Sequence, residues 1–289
     1  MSLIDKRYTL EKRWLEIGQL RCRFFIYESN SVKNNRRMLM LHGAGVAAQD
    51  TWSNIISMLE GWQSIVVPDL RGMGESVEKS GSESAFTIEQ LVADLQCLCA
   101  ELNWSTFDLA GYSLGGLVSL LYKQQYPHQV GQQFVLEPGL LDRQLWQDSQ
   151  ALRELYADVV QQLRSKDARA GVENFLDTIS PNRKSTPSAH ELAIQRLMQR
   201  HLGFANALEC VNLAANNIDR QQLVAAQGKV VSIIGALSVP SMHHYHQQLA
   251  TQQHNWQYYS VAGTDHSLPY QKPRQIARIF NAVAATQSS

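Results

Sequence analysis

The sequence predicts an α/β fold with a mostly parallel sheet covered by helices on both faces. Short, nearly continuous apolar runs such as "RRMLMLHG" and "SIVVPDL" have the character of strands buried on both sides. These runs alternate with stretches of helical period, and strands that alternate with helices imply right-handed crossovers and parallel pairing. Residues 139–228 break the alternation with helical patterns alone, which marks an insertion.

The elements follow in order. "KRWLEIGQLRCRFFIYES" reads as two strands joined by a turn at Gly18, with β-branched and aromatic residues gathered in the second. "RRMLMLHG" and "SIVVPDL" are the next two strands. "TIEQLVADLQCLCAEL" is a helix opened by Thr87 as N-cap, with Gln90 completing a capping box. "TFDLAGYS" is a strand, "LGGLVSLLYKQQYP" a helix stopped near Pro127, and "QQFVLEP" a strand. Beyond the insertion come "KVVSIIGAL" (strand), "SMHHYHQQLATQ" (helix), "NWQYYSVAG" (strand) and "PRQIARIFNAVAAT" (helix).

Within the insertion, "LDRQLWQDSQALRELYADVVQQL" carries apolar residues at helical spacing, and "SAHELAIQRLMQRHL" opens with a box from Ser188 to Glu191. Ten acidic and ten basic residues are mixed along 139–228, so its outer face is solvated and neutral. The sequence thus divides into an α/β core of residues 1–138 and 229–289 and a helical cap of 139–228. A four- or five-helix insertion is expected to lie over the carboxyl ends of the sheet, where ligands bind in such folds.

A chain of 289 residues can bury a large core, and 44% hydrophobic with 18% charged residues is ordinary for a soluble protein. Lys plus Arg equals Asp plus Glu at 26 each, which favours neither nucleic acid nor a membrane surface as partner. Cys22, Cys97, Cys99 and Cys210 have neither CxxC spacing nor a zinc-type cluster and read as reduced thiols of a cytosolic protein. "MSLIDKRYTLEKRWLE" is charged throughout and does not read as a secretory signal. The apolar stretch at 107–122 is short for a membrane span and is broken by glycines and a serine. The expectation is a soluble, cytoplasmic protein acting on a small molecule; monomer and homodimer both stay open.

"GYSLG" matches G-x-S-x-G after a predicted strand and before a predicted helix, which is the setting of a nucleophile elbow. Such a turn holds the serine in a strained conformation that exposes its hydroxyl, and Gly111 and Gly115 leave room for strand and helix to approach. The helix beginning at Leu114 points free N–H groups at the site. "LHGAG" and "PDLRGMGES" follow the two earlier strands, and "GTDHSLP" follows the last one. The bland alternative is that Ser113 is only a small turn residue.

Taken in order, "HGAG" (42–45), "DLRGMGES" (69–76), "GYSLGG" (111–116) and the histidine loop at 263–266 make the chain resemble the α/β-hydrolase superfamily over nearly all its length. The resemblance implies Ser113 as nucleophile, His266 as general base and the N–H groups of Ala44 and Leu114 as oxyanion hole, with no cofactor and no metal. Serine at the elbow argues against the branches that attack with a carboxylate. His42 is expected to shape the oxyanion loop, and Asp69 and Arg71 to form a structural turn. His243, His244 and His246 read as an exposed helix face with no ligand spacing for a metal. Tyr112 and Trp52 are packing residues that are expected to border the substrate pocket.

The acid departs from the commonest family pattern, which places an aspartate after the penultimate strand in a G-x-x-D turn. Here the residues are "GALS", so Ser238 stands in that place. A serine accepts a hydrogen bond from imidazole but supplies no full charge to imidazolium. "FVLEPG" puts Glu137 at the end of the strand after the nucleophile helix, a position from which some family members supply the acid. Asp142 stands second; Asp265, adjacent to His266, is expected to point away. The implied reaction is acyl transfer on a carboxylic ester, thioester or lactone of small to medium size. The alternatives are a lyase or C–C bond hydrolase on the same fold and a non-catalytic small-molecule binder. The menaquinone-pathway lyases that the chain resembles at "GYSLGG" carry an arginine just after that motif, where this chain has Leu117.

Overall fold

The structure is a computed structural model that describes residues 7–143 and 145–286. The first six residues, on which part of the expectation of no secretory signal rests, and Gln144 of the insertion lie outside the described residues. Among the described residues nine strands form one sheet in the order β1-β2-β4-β3-β6-β7-β8-β9, with β5 added beside β2. β1 (Tyr8–Ile17) and β2 (Leu20–Ser29) form the antiparallel hairpin that turns at Gly18. β2 also runs antiparallel to β4 (Ser64–Pro68) and to the short β5 (Val77–Glu78). Every pairing through β4, β3 (Arg37–Leu41), β6 (Phe107–Tyr112), β7 (Val130–Leu136), β8 (Lys229–Gly235) and β9 (Trp256–Val261) is parallel.

The apolar runs become strands because both faces of the sheet are covered. Successive residues of a strand point to opposite faces. Leu39 and Leu41 accordingly pack with α2 (Ile88–Glu101) and α3 (Leu114–Gln125), while Met38 and Met40 pack with α1 (Ala48–Ile56) and α11 (Pro273–Thr286). α9 (Pro240–Gln252) and α10 (Leu268–Gln271) complete the core helices. Edge strand β1 turns its charged residues outward, which discourages pairing with another chain. The capping box of Thr87 and Gln90 forms as read. α1, β5 and α10 add to the elements expected from the sequence; β5 and α10 are too short to carry a periodic signal.

Between β7 and β8 the described residues form five helices: α4 (Trp146–Leu163), α5 (Ala168–Ile179), α6 (Pro187–Met198), α7 (His201–Asn217) and α8 (Arg220–Ala225). Leu152, Val160, Leu163, Phe175 and Phe204 give this region its own apolar cluster. The box expected at Ser188 and Glu191 does not form. Thr186 is the N-cap, accepting from the Ala189 amide at 3.2 Å, because Pro187 with its fixed φ takes the first helical position. Glu191 instead pairs with Arg169. Among the described residues no helix is long and apolar enough to cross a membrane.

Chain order reverses between β3 and β6, since β4 lies on one side of β3 and β6 on the other. A crevice therefore opens at the carboxyl ends of these two strands. Helix α3 meets strands β6 and β3 there with almost no space. A Cβ on Gly111 would lie 2.2 Å from the Gly115 carbonyl oxygen, and one on Gly115 2.4 Å from that of Leu41. Gly115→Ala should therefore destabilise the fold by about 2 kcal/mol or more in urea denaturation. A loss below about 0.5 kcal/mol would show that strand and helix separate freely.

Candidate active site

Ser113 joins β6 to α3 with φ 53° and ψ −114°, a conformation that L-residues adopt only when the surroundings impose it. Its amide donates to the Leu136 carbonyl at 3.0 Å, and its own carbonyl accepts from the Leu117 and Gly139 amides at 3.1 and 3.0 Å. The Gly115 amide donates to His42 O at 3.1 Å, which docks the head of α3 on the loop after β3. Ser113 is thus fixed to three strand ends.

The Ser113 hydroxyl donates to His266 Nε2 at 3.1 Å, and His266 Nδ1 donates to Glu137 Oε2 at 2.8 Å. A carboxylate only accepts, so Nδ1 carries the proton and Nε2 is free to take one. Glu137 ends β7 with φ 42° and is buried to 2% exposure. Its other oxygen, Oε1, accepts from the Gly235 amide at 2.8 Å and from the Ser238 hydroxyl at 2.5 Å. Burial pushes the Glu137 carboxyl up, but the hydrogen bond and charge of His266, with the Ser238 and Gly235 donors, outweigh it and hold it below the usual carboxylate value.

The His42 ring bridges two loops: Nδ1 donates to Gly43 O at 2.7 Å and Nε2 accepts from the Leu70 amide at 2.9 Å. Burial lowers its pKa, which keeps it neutral. Ala44, after Gly43, and Leu114, at the head of α3, both line the cavity at Ser113. As first residue of its helix, Leu114 has an amide with no intrahelical acceptor, and the Ala44 amide has no partner among the described residues. The Tyr112 hydroxyl donates to His266 O at 2.9 Å, and its ring lies 5.1 Å from the imidazole. The cavity measures about 330 Å³, roofed by apolar residues of α5, α6 and α7 such as Phe175, Leu176, Leu197 and Leu208.

The family model described as "alpha/beta hydrolase fold" matches residues 36–287. The chain belongs to the α/β-hydrolase fold family. Among curated proteins it is similar to pyrrolizixenacetamide deacetylase of Xenorhabdus hominickii, 25% identical over 132 residues, which are 46% of this chain and 48% of that one. It is also similar to Lipase 1 of Psychrobacter immobilis, 31% identical over 105 residues, 36% of this chain and 32% of that protein. The chain spans about half the length, or less, of the curated relatives it matches. Among solved structures it superposes on an esterase from Thermogutta terrifontis with TM-score 0.71 and 20% identity, covering 96% and 98% of the two chains. A structure from a study of carboxylesterases of Nitrososphaera gargenis gives TM-score 0.74 at 18% identity, covering 95% and 100%. At these identities the structural likeness concerns the fold alone.

Other candidate residues of this α/β hydrolase take different places. Trp52 does not border the cavity; on α1 it belongs to the row Ala48, Trp52, Ile55 and Ile56 that faces the sheet, and it is fully buried in the core. Asp142 lines the cavity, but its oxygens take the Arg153 guanidinium at 2.6 Å and the Ser149 hydroxyl at 3.1 Å. Asp265 accepts from the Ser267 amide at 2.9 Å rather than meeting His266, and its Oδ2 is unpartnered. Asp69 is a structural hub that accepts from Arg23 and from the Ala48 and Glu75 amides, and Arg71 pairs with Asp94. The trio on α9 is not an exposed face. Only His244 is exposed; His243 meets the Tyr258 hydroxyl at 2.6 Å. His246 donates to Leu141 O at 3.0 Å on the row it shares with Met242 and Leu249. Burial takes the His246 pKa down to about 4. Cys22, Cys99 and Cys210 are buried free thiols and Cys97 is exposed. Among the described residues no group of three His, Cys, Asp or Glu is placed to hold a metal ion. What the sequence did not reveal is the Ser238 hydroxyl as a donor to Glu137.

Because folding lowers the Glu137 pKa, the stability it contributes is full above its unfolded value of about 4.3 and is lost as pH falls through the lower folded value. Below about pH 4, wild-type stability should fall more steeply with acid than that of Glu137→Gln, which keeps an acceptor oxygen but does not titrate. Equal slopes in denaturation below that pH would mean that folding leaves the Glu137 pKa where it was.

Proposed function

We propose that this α/β hydrolase cleaves a carboxylic ester, thioester or lactone by acyl transfer to Ser113. The observation that carries the reading is the unbroken line from the Ser113 hydroxyl through His266 to the buried Glu137, at 3.1 and 2.8 Å, on the wall of a mostly apolar cavity. His266 Nε2 takes the hydroxyl proton as Ser113 Oγ attacks the carbonyl carbon. The oxyanion that forms lies against the Ala44 and Leu114 amides, aided by the positive end of α3. His266 then returns the proton to the leaving oxygen or sulfur, and the acyl group rests on Ser113. A water, deprotonated by the same nitrogen, releases the acid and regenerates the hydroxyl. Glu137 holds the imidazole in its productive tautomer and answers its charge in each half-reaction.

The size of the cavity suits a small to medium substrate. The relatives named as a deacetylase and a lipase support acyl chemistry on this fold. The arginine of the lyase alternative is missing: that position is Leu117, which is fully buried in the core.

The test is labelling with a fluorophosphonate, read by mass spectrometry, followed by a screen of p-nitrophenyl esters of rising chain length. Wild-type Ser113 should label rapidly, and Glu137→Ala should slow labelling and turnover by about two to four orders of magnitude. Equal labelling rates in the two proteins would remove Glu137 from the triad. Failure of Ser113 to label at all would favour the non-catalytic binder.

A further inference from the structure

Two side chains on the cap side of the cavity each carry one buried hydrogen-bond donor that has no acceptor among the described residues. Tyr156 of α4 lines the cavity at 2% exposure, and its hydroxyl has no partner among the described residues. One turn earlier, Arg153 also lines the cavity; its Nη2 donates to Asp142 Oδ2 at 2.6 Å, but its buried Nε–H has no partner. The guanidinium carbon lies 4.8 Å from the centroid of the Tyr156 ring, so the two side chains adjoin on one stretch of the cavity wall. The carboxylate of Asp142 takes Arg153 Nη2 and the Ser149 hydroxyl, and neither the Nε–H nor the Tyr156 hydroxyl bonds to it. The unpartnered Asp265 Oδ2 is an acceptor on the histidine loop, not a member of this donor pair.

A buried donor left without an acceptor loses more stability than a formed hydrogen bond gains, and native proteins hold few of them. A phenylalanine at 156 would keep the packing against Phe175, whose ring centroid is 5.6 Å away, without stranding a hydroxyl. Charge in the corner is balanced, with Arg153 answered by Asp142. Burial, the largest influence, pushes the Tyr156 phenol up, so it stays neutral and protonated. The corner therefore lacks an acceptor, and a charged one would upset its balance.

We infer that Arg153 and Tyr156 form a specificity corner that receives an uncharged oxygen of the substrate, a carbonyl, ether or hydroxyl oxygen separate from the scissile group. The inference rests on the ester-hydrolase reading above and narrows its substrate class to oxygen-bearing esters. A pocket that hydrogen-bonds a substrate group discriminates against the analogue lacking it, because the corner is then left unpaired.

Matched ester pairs test this by exchanging one CH2 for oxygen: p-nitrophenyl butanoate against p-nitrophenyl methoxyacetate, and butyl acetate against 2-methoxyethyl acetate. Each kcat/KM is divided by the rate of alkaline hydrolysis of the same ester, and the ratio within a pair is the readout. Wild type should prefer the oxygen member of at least one pair by about tenfold. The ratio should collapse toward one in Tyr156→Phe and fall in Arg153→Lys, which keeps the ion pair with Asp142. The Tm of Tyr156→Phe should be no lower than that of wild type, whereas a purely structural hydroxyl would lower it. Ratios near one in wild type for both pairs, or ratios that Tyr156→Phe leaves intact, overturn the inference. If no ester is turned over, the hydrolase reading fails and calorimetry of the same pairs on Ser113→Ala decides. Tighter binding of an oxygen member, lost on adding Tyr156→Phe, then sustains the corner, and equal binding removes it.

Discussion

A carboxylate as deeply buried as that of Glu137 must have its charge answered inside the fold, and the geometry around it follows from that requirement. Its donors come from two further strand ends: the Gly235 amide and Ser238 hydroxyl beyond β8, and the His266 imidazole on the loop after β9. The pairing of Leu136 with Ile233, extended by the Glu137 amide on Ile233 O at 3.2 Å, sets β7 and β8 in the register that brings Gly235 within reach. With Oε1 fully taken, Oε2 is directed to Nδ1, which turns Nε2 toward Ser113. Shortening Glu137 would leave a serine hydroxyl, a backbone amide and an imidazole without their acceptor, so its loss reaches beyond the imidazole. Ser238 has a clear physical part in this. At the place where the family's usual acid would stand, it donates to the carboxylate that comes from the neighbouring strand.

Much of this was legible in the chain. The parallel core shows in apolar runs that alternate with helices, because both faces of such strands are buried. Ser113 shows through the two glycines that its turn requires, and Glu137 through its position as a charge ending an apolar strand. The features that escaped depend on contacts across the sheet or between helices. Ser238 could be read as a missing acid, but its hydrogen bond exists only because β7 and β8 end side by side. His246 looks polar in a polar stretch, yet it falls on the row of Met242 and Leu249 and is buried with them. Trp52 has the size of a pocket residue, but its helical row is aimed at the sheet. At α6, Ser188 has the residue type of an N-cap, and Pro187 moves the helix start to Thr186. An unpartnered donor such as the Tyr156 hydroxyl leaves no trace in sequence, since it is defined by what the rest of the chain does not bring near it.

Backbone strain is gathered where the chemistry is proposed. Of the five non-glycine residues with positive φ among the described residues, Ser113, Glu137 and Leu140 lie on the turns after β6 and β7. The other two, Asn35 and Asn103, are of a type that tolerates this region. Each strained residue costs stability and persists only where its surroundings over-determine it. Here the two turns brace each other: the Ser113 amide donates to Leu136 O, and the Gly139 amide donates to Ser113 O. Neither turn can relax without breaking the other's hydrogen bond. The strained conformation of Ser113 is therefore carried by β7 as much as by its own glycines, and the strand that ends at the Glu137 carboxylate also holds the proposed nucleophile. On the proposed mechanism, this coupling leaves Ser113 and Glu137 little freedom to adapt to different substrates. Selectivity must then reside on the opposite wall, in the helices between β7 and β8, whose side chains can change without disturbing the two turns.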